Sequence, residues 1–384
     1  MEKIRFGVVG LGRRGRFMTK LAQSFDRVEL AAACDIDPLL WSELQWHEDM
    51  PLKERFPEVP FYTDYSKMLE EQKPDLVLVE TGADVHADFC IRALNRNIDV
   101  FSDIPSVATL DEAKRLWQAE QASKARLMTG ANPNEWGFIN ALVDLYKKGL
   151  LGEPYYMEAE YIHSLRTPAA VNPLLTHSPW RKTLPPIRYC THSLGPLLRI
   201  MKEVLRYAIC VGTGTHVNPE AKKDDMQAAL FQTESGVTIR LLRNGACRAF
   251  IGHHSYRVFG TKGYFERIDS RGNTPQVVRF RSDELYGADT LTELPVGMMP
   301  NEYANNPKAA GHGGADYALL DHLFRAMLND APEFPIPLRE GLRMTLPGIY
   351  AAESAKRGGE KLTIHYPWEP EFAADIELID QPSK

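Results

Sequence analysis

Residues Gly10-Leu11-Gly12-Arg13-Arg14-Gly15 spell a G-x-G-x-x-G turn, and its surroundings constrain the fold more than any other part of the chain. The run Ile4–Val9 before it reads as a buried strand, and Arg16–Phe25 after it carries apolar residues at helical spacing. Glycines permit a tight turn and a close backbone approach. The helix N-terminus that follows offers amide groups and the positive end of its dipole to a pyrophosphate. Asp35 lies 20 residues after Gly15, at the end of a second strand, Val28–Cys34. A carboxylate there accepts both ribose hydroxyls of an adenosine and repels a 2′-phosphate. The pattern predicts NAD rather than NADP, although Arg13 and Arg14 stand where an arginine can also hold the extra phosphate.

The first 130 residues continue in the same alternation. Asp75–Glu80, Asp99–Ser102 and Arg126–Gly130 read as strands, and Leu39 to Phe56, Asp64–Gln72, Val85–Arg96 and Leu110–Lys124 as helices. Such alternation builds βαβ units on a parallel sheet. Beyond that point the pattern changes. Helices are predicted at Glu135–Lys148, Ser193–Met201, Asp316–Asn329 and Leu338–Lys356. Strands are predicted at Tyr155–His163, Ala208–Gly214, Met226–Thr233, Val237–Arg243 and Tyr256–Gly260, with proline-rich loops between Pro168 and Pro186. The expected fold class is α/β. An N-terminal Rossmann parallel sheet binds NAD over residues 1–130, and an α+β domain with an open, mainly antiparallel sheet binds substrate over 131–384.

A chain of 384 residues, 44% hydrophobic and 25% charged, is long enough for two such domains with separate cores. Its 45 basic and 51 acidic residues give a formal charge of −6, without a basic block. That balance argues against nucleic acid or an anionic membrane as the principal partner. No apolar run approaches the roughly 20 residues that span a bilayer, and the first residues resemble no signal sequence, so a cytoplasmic protein is expected. The five cysteines are scattered and form no C-x-x-C pair, which suggests buried, inert thiols.

Gly10–Gly15, Asp35, the segment Glu80-Thr81-Gly82-Ala83-Asp84-Val85-His86 and the two-domain layout resemble the Gfo/Idh/MocA oxidoreductases over essentially the whole chain. Most dehydrogenases of that group end the strand near residue 103 in Glu-Lys-Pro, whose lysine assists proton transfer at the oxidised carbon. This chain has Asp103-Ile104-Pro105. Ala159–Arg166, Trp180-Arg181, Tyr189–Pro196 and Gly311–Asp316 look like the NAD-dependent glycosidases of the superfamily, especially glycoside hydrolase family 109, the α-N-acetylgalactosaminidases, which also lack the lysine. The related sulfoquinovosidases use the same cofactor cycle. The sugar therefore stays open, and Arg166, Arg181 and Arg188 suit an anionic one equally.

The resemblance implies a redox route to hydrolysis of a small glycoside. The sugar is oxidised at C3, loses its C2 proton, expels the aglycone from C1, adds water, and regains its electrons at C3 with NAD recycled in place. Proton carriers are needed rather than two carboxylates astride the glycosidic bond. The resemblance implies that Tyr161 and His192 lie nearest the sugar as candidate base and acid, and leaves open which of Tyr161, His163 and His192 takes each role. His163 joins them because it alternates in register with Tyr161, and Tyr189 lies between nicotinamide and sugar. Arg181 and His312 contact substrate. Arg13, Arg14, Asp35, Ala83, His86, Asp103, Ile104 and Asn132 join Gly10, Gly12 and Gly15 around NAD. His312 and Asp316, four apart at a helix start, read as a capped glycine loop in the absence of a third ligand, so no metal is expected. His253 and His254 should face opposite ways on a strand, which argues against a joint site. The open sheet is expected to be covered in a homodimer or homotetramer. The rival readings are an NAD-dependent sugar or inositol dehydrogenase and a non-catalytic NAD sensor.

Overall fold

A computed structural model describes residues 2–45, 48–162, 180–217, 223–247, 253–267, 277–285, 290–309 and 311–380. The chain divides into two compact units. The first comprises Met1–Ala131, Asn306–Ala310 and Asp316–Gly341, and the second Asn132–Asn305, Gly311–Ala315 and Leu342–Lys384.

The first unit is built on β1 (Ile4–Val9), β2 (Val28–Cys34), β3 (Phe61–Tyr62), β4 (Leu76–Val79), β5 (Asp99–Ser102) and β6 (Leu127–Thr129). They form a six-stranded parallel sheet in the order β3-β2-β1-β4-β5-β6. Ile4, Phe6, Val8 and all of β4 are fully buried, as strands covered on both faces should be. The helices α1 (Arg13–Gln23), α4 (Tyr65–Gln72), α5 (His86–Leu94) and α6 (Leu110–Ala122) supply the crossovers, with two short turns, α2 (Leu39–Ser42) and α3 (Leu52–Arg55), between β2 and β3. Asp64 caps α4 by accepting from the Ser66 and Lys67 amides, and Thr109 and Glu112 form a reciprocal capping box on α6. The single helix expected from Leu39 to Phe56 does not form. Glu43 is extended (φ −112°, ψ 153°), and Pro51, without an amide hydrogen and at ψ 149°, can only precede a new turn.

Residues 316–341, which the sequence reading grouped with the second domain, belong to the first unit. Phe25 stacks on Tyr317 at 4.5 Å and meets Phe324 edge-on at 5.0 Å. The Thr129 amide donates to the Ile336 carbonyl, and Met128 bridges Pro337, so this returning segment borders β6. Sequence distance hid these contacts, because the partners are more than two hundred residues apart.

In the second unit β7 (Pro154–Ile162), β8 (Tyr207–Gly212), β9 (Met226–Gln232), β10 (Thr238–Asn244), β11 (His253–Gly260), β12 (Gly263–Arg267), β13 (Val278–Ser282), β14 (Thr292–Leu294) and β15 (Leu362–Thr363) pair in the order β14-β13-β12-β11-β7-β10-β9-β8-β15. Every pairing is antiparallel except β10 with β7. Met157 and Ala159 of β7 are fully buried on one face. Glu158 and Glu160 occupy the other, where Arg240 holds both at 3.0 Å and Arg257 adds a second hold on Glu158. The Arg240 hydrogen bonds, against the effect of burial, push the Glu158 carboxyl down to about 2. The helices include α7 (Gly137–Lys147), α8 (Trp180–Thr183) and α9 (Thr191–Leu198). Cys34, Cys90, Cys190 and Cys210 are buried, and burial pushes each thiol up to about 12. Among the described residues no helix is long and apolar enough to cross a membrane.

Candidate functional site

The glycine turn of the first unit leaves no space at two of its three glycines. Gly10 adopts φ +92°, and a Cβ on it would lie 2.7 Å from the Glu80 backbone; one on Gly15 would overlap the Gly10 carbonyl oxygen. Gly12 begins α1 with open space in front of it. The Leu11 amide donates to Asp35 Oδ2 (2.6 Å) and the Asp37 amide to Oδ1 (2.9 Å), which fixes the half-buried carboxylate at the end of β2 beside the turn. An anion seat at a helix N-terminus flanked by a carboxylate fits a dinucleotide with a free 2′-hydroxyl. Ile36, next to Asp35 and 88% exposed, offers an apolar surface that sequence reasoning passed over.

Of the two arginines, Arg13 is exposed, whereas Arg14 turns toward carboxylates. Its Nη2 donates to Asp316 Oδ1 at 2.8 Å and its Nε to Asp103 Oδ2 at 3.3 Å, with Glu80 Oε2 at 3.9 Å. Burial opposes the Arg14 charge, but Asp103, Asp316 and Glu80 outweigh it and raise the guanidinium well above its ordinary value. Ala83, His86 and Ile104 are buried. The ring nitrogens of His86 face the Thr81 carbonyl (2.9 Å) and the Pro105 carbonyl (3.0 Å), tying the loops after β4 and β5 together.

In the second unit Tyr161 shares the core-facing side of β7 with Met157 and Ala159. It is flanked in register by Arg243 of β10 and His254 of β11. The His254 ring stacks on the Tyr161 ring with centroids 3.8 Å apart, and the Arg243 guanidinium lies 3.9 Å from the same ring centre. Arg243 is buried and donates to the Tyr189 carbonyl (3.0 Å) and the Tyr161 carbonyl (3.1 Å). The α9 turn brings His192 to 5.6 Å from the Tyr161 ring, anchored by Tyr256, whose hydroxyl donates to the His192 carbonyl at 2.6 Å. Tyr189 Oη lies 3.4 Å from His192 Nε2. Trp180 stands 6.4 Å from Tyr189, and Trp136 meets His254 edge-on at 4.7 Å.

Three predicted site residues, Tyr161, Tyr189 and His192, thus come together. His254 and Arg243 complete the group and were missed, because only strand pairing makes them neighbours of Tyr161. His163 and Arg166 lie outside the described residues, as does the side chain of Arg181, although its backbone is part of α8. Asn132 is buried in a 3₁₀ turn of the second unit. His312 has an exposed side chain at φ +45°, between Gly311 and Gly313 with φ +81° and +67°, and its carbonyl accepts from Trp136 Nε1 at 3.1 Å. Asp316 serves Arg14.

Residues 4–131 match the profile of the Gfo/Idh/MocA oxidoreductase family, NAD-binding Rossmann fold. A glycosyl hydrolase family 109 protein of Shewanella pealeana is 25% identical, with 86% of this chain and 78% of that protein aligned. An alpha-N-acetylgalactosaminidase of Shewanella oneidensis is also 25% identical, over 86% and 77%. Among solved structures, an oxidoreductase of Agrobacterium radiobacter in complex with NAD⁺, L-tartaric acid and magnesium aligns with a TM-score of 0.75 and 16% identity, covering 94% of this chain and 98% of its own. Scyllo-inositol dehydrogenase of Lactobacillus casei, with bound NAD(H) and scyllo-inositol, aligns with a TM-score of 0.71 and 17% identity over 94% and 99%. The profile and the glycine turn agree: residues 4–131 carry the NAD-binding Rossmann fold of the Gfo/Idh/MocA oxidoreductase family, and the relatives at 25% identity extend the similarity over most of the chain.

Proposed function

We propose that the chain is an NAD-dependent glycoside hydrolase that opens the glycosidic bond through transient oxidation at C3 of the sugar. The observation that carries this reading is the row Arg243–Tyr161–His254 across three strands, faced by His192 and Tyr189. A hydrolase that works without redox chemistry uses two carboxyl groups about 5–10 Å apart astride the bond. The row holds none; its tyrosine and histidine rings each carry a single proton, and Arg243 supplies a fixed positive charge. The relatives named as a glycosyl hydrolase family 109 protein and an alpha-N-acetylgalactosaminidase support the same reading.

Bound NAD supplies an electron acceptor that returns the pair at the end of the cycle. Gly10, Gly12 and Gly15 seat its pyrophosphate, Asp35 takes the adenosine ribose, and Arg13, Arg14, Ala83, His86, Asp103, Ile104 and Asn132 complete its surroundings. Ile104 is a buried aliphatic residue and carries no proton. The proton work therefore falls to the second unit. Tyr161 removes the C2 proton, and Arg243 against its ring stabilises the negative charge that develops there. His192 protonates the departing oxygen, and Tyr189 hands protons to it. His163 is a further proton carrier, and Arg181 and His312 contact the sugar.

The test is incubation with nitrophenyl α- and β-glycosides, the N-acetylgalactosaminide and the sulfoquinovoside among them, in the presence of trace NAD⁺. Aglycone is expected in large molar excess over the added cofactor, without accumulation of NADH. Stoichiometric NADH and no aglycone would assign a sugar or inositol dehydrogenase instead, the activity named for one structural neighbour.

A further inference from the structure

Glu80 follows β4 directly, and its amide donates to the Val9 carbonyl at 2.9 Å. Its side chain is fully buried, and neither carboxyl oxygen has a hydrogen-bond partner among the described residues. It stands behind the glycine turn: a Cβ on Gly15 would lie 3.1 Å from its own Cβ. The charged groups that face it are Arg14 of α1, Asp103 at the end of β5 and Asp316 of the helix Ala315–Leu328. Three carboxyl groups thus share one guanidinium. Arg14 spends its hydrogen bonds on Asp103 and Asp316 and leaves Glu80 at 3.9 Å. Burial, and then Asp103, push the Glu80 carboxyl well above the usual carboxylate range. Protonated, it becomes a donor and its repulsion with Asp103 disappears.

The position of this group gives it a use. Asp35 marks the adenosine side of the turn at β2. In an open α/β sheet the other half of a dinucleotide runs over the carboxyl ends of the strands beyond the switch point, which here are β4 and β5. Glu80 and Asp103 sit at those two ends. A nicotinamide ring is cationic when oxidised and neutral when reduced, so negative charge near it favours the oxidised form.

We propose that Glu80 holds a proton that is released when the oxidised dinucleotide binds and kept when the reduced one binds, so that the preference for NAD⁺ over NADH strengthens as pH rises. This rests on dinucleotide binding by the first unit and not on glycoside cleavage. The sign follows from linkage. The oxidised form selects the ionised Glu80, so its Kd falls with rising pH until the free protein is itself ionised, whereas the Kd of the reduced form stays level.

Calorimetric titration of the full chain with NAD⁺ and with NADH, in buffers of different ionisation enthalpy near neutral pH, counts the protons. NAD⁺ is expected to release more than NADH by at least about half a proton, and the ratio Kd(NADH)/Kd(NAD⁺) to rise by up to about tenfold per pH unit across the transition. Glu80→Gln flattens the ratio. Asp103→Asn, which removes the repelling neighbour, moves the transition to lower pH. Equal proton counts for the two forms, or a pH-dependent ratio that survives Glu80→Gln, would overturn the proposal and leave NAD binding itself intact. Failure of both forms to bind would instead count against the dinucleotide site and against the proposal with it.

Discussion

Tyr161→Phe is expected to slow aglycone release by about 10²–10⁴-fold, the range typical of a proton-transfer group. The substitution is chosen for what it keeps. The ring still stacks on His254 and still receives Arg243, and the Tyr161 carbonyl still accepts from Arg243. Only the phenolic O–H is lost. Melting temperature should therefore hold, and NAD affinity should not change, because the glycine turn belongs to the other unit. Steady-state kinetics on a nitrophenyl glycoside, with NAD titration of the same sample, separates the effects. Unchanged turnover would remove Tyr161 from the chemistry.

Gly15→Ala and Gly12→Ala should part company. A methyl on Gly15 overlaps the Gly10 carbonyl oxygen, a backbone atom, so the turn or α1 must move. Forced overlap of this kind costs about 1–3 kcal/mol. The variant is expected to melt lower and to bind NAD at least about a hundredfold more weakly, since about 2.7 kcal/mol of lost contact corresponds to that ratio. A methyl on Gly12 meets nothing within 4 Å, and φ there is −60°, which alanine adopts freely. Gly12→Ala should keep its melting temperature and still lose NAD affinity, because the second glycine is where a pyrophosphate approaches the backbone. Equal NAD affinity in Gly12→Ala and the unaltered chain would mean that the phosphates lie elsewhere.

The nucleotide-binding half was legible because its signals are local. A buried strand, three glycines, a helix and an acid 20 residues on follow one another in sequence. The second unit was legible in its strands but not in its pairings. His254 meets Tyr161 only because β11 lies beside β7, 93 residues away, and Arg243 completes the row only because β10 runs parallel on the other side. Alternation shows which face a residue takes, never which strand is its neighbour. The strands β12, β13 and β14 were missed for a related reason: outward residues such as Glu266, Arg279 and Glu293 satisfy one another across strands, and the apolar signal is thin. Arg14 stands in the turn where a phosphate ligand was expected, yet its carboxylate partners lie 89 and 302 residues further along. The lost helix between Leu39 and Phe56 shows the converse, a periodic run that breaks at extended Glu43 and restarts only after Pro51.

The most direct test of the redox route is hydrolysis in deuterium oxide with NAD⁺ well below the glycoside concentration, followed by NMR of the released sugar. Deuterium is expected at C2, with protium retained at C3 and many turnovers for each cofactor. Released sugar with protium at C2 would show that the bond had opened without deprotonation there, and would contradict the redox route.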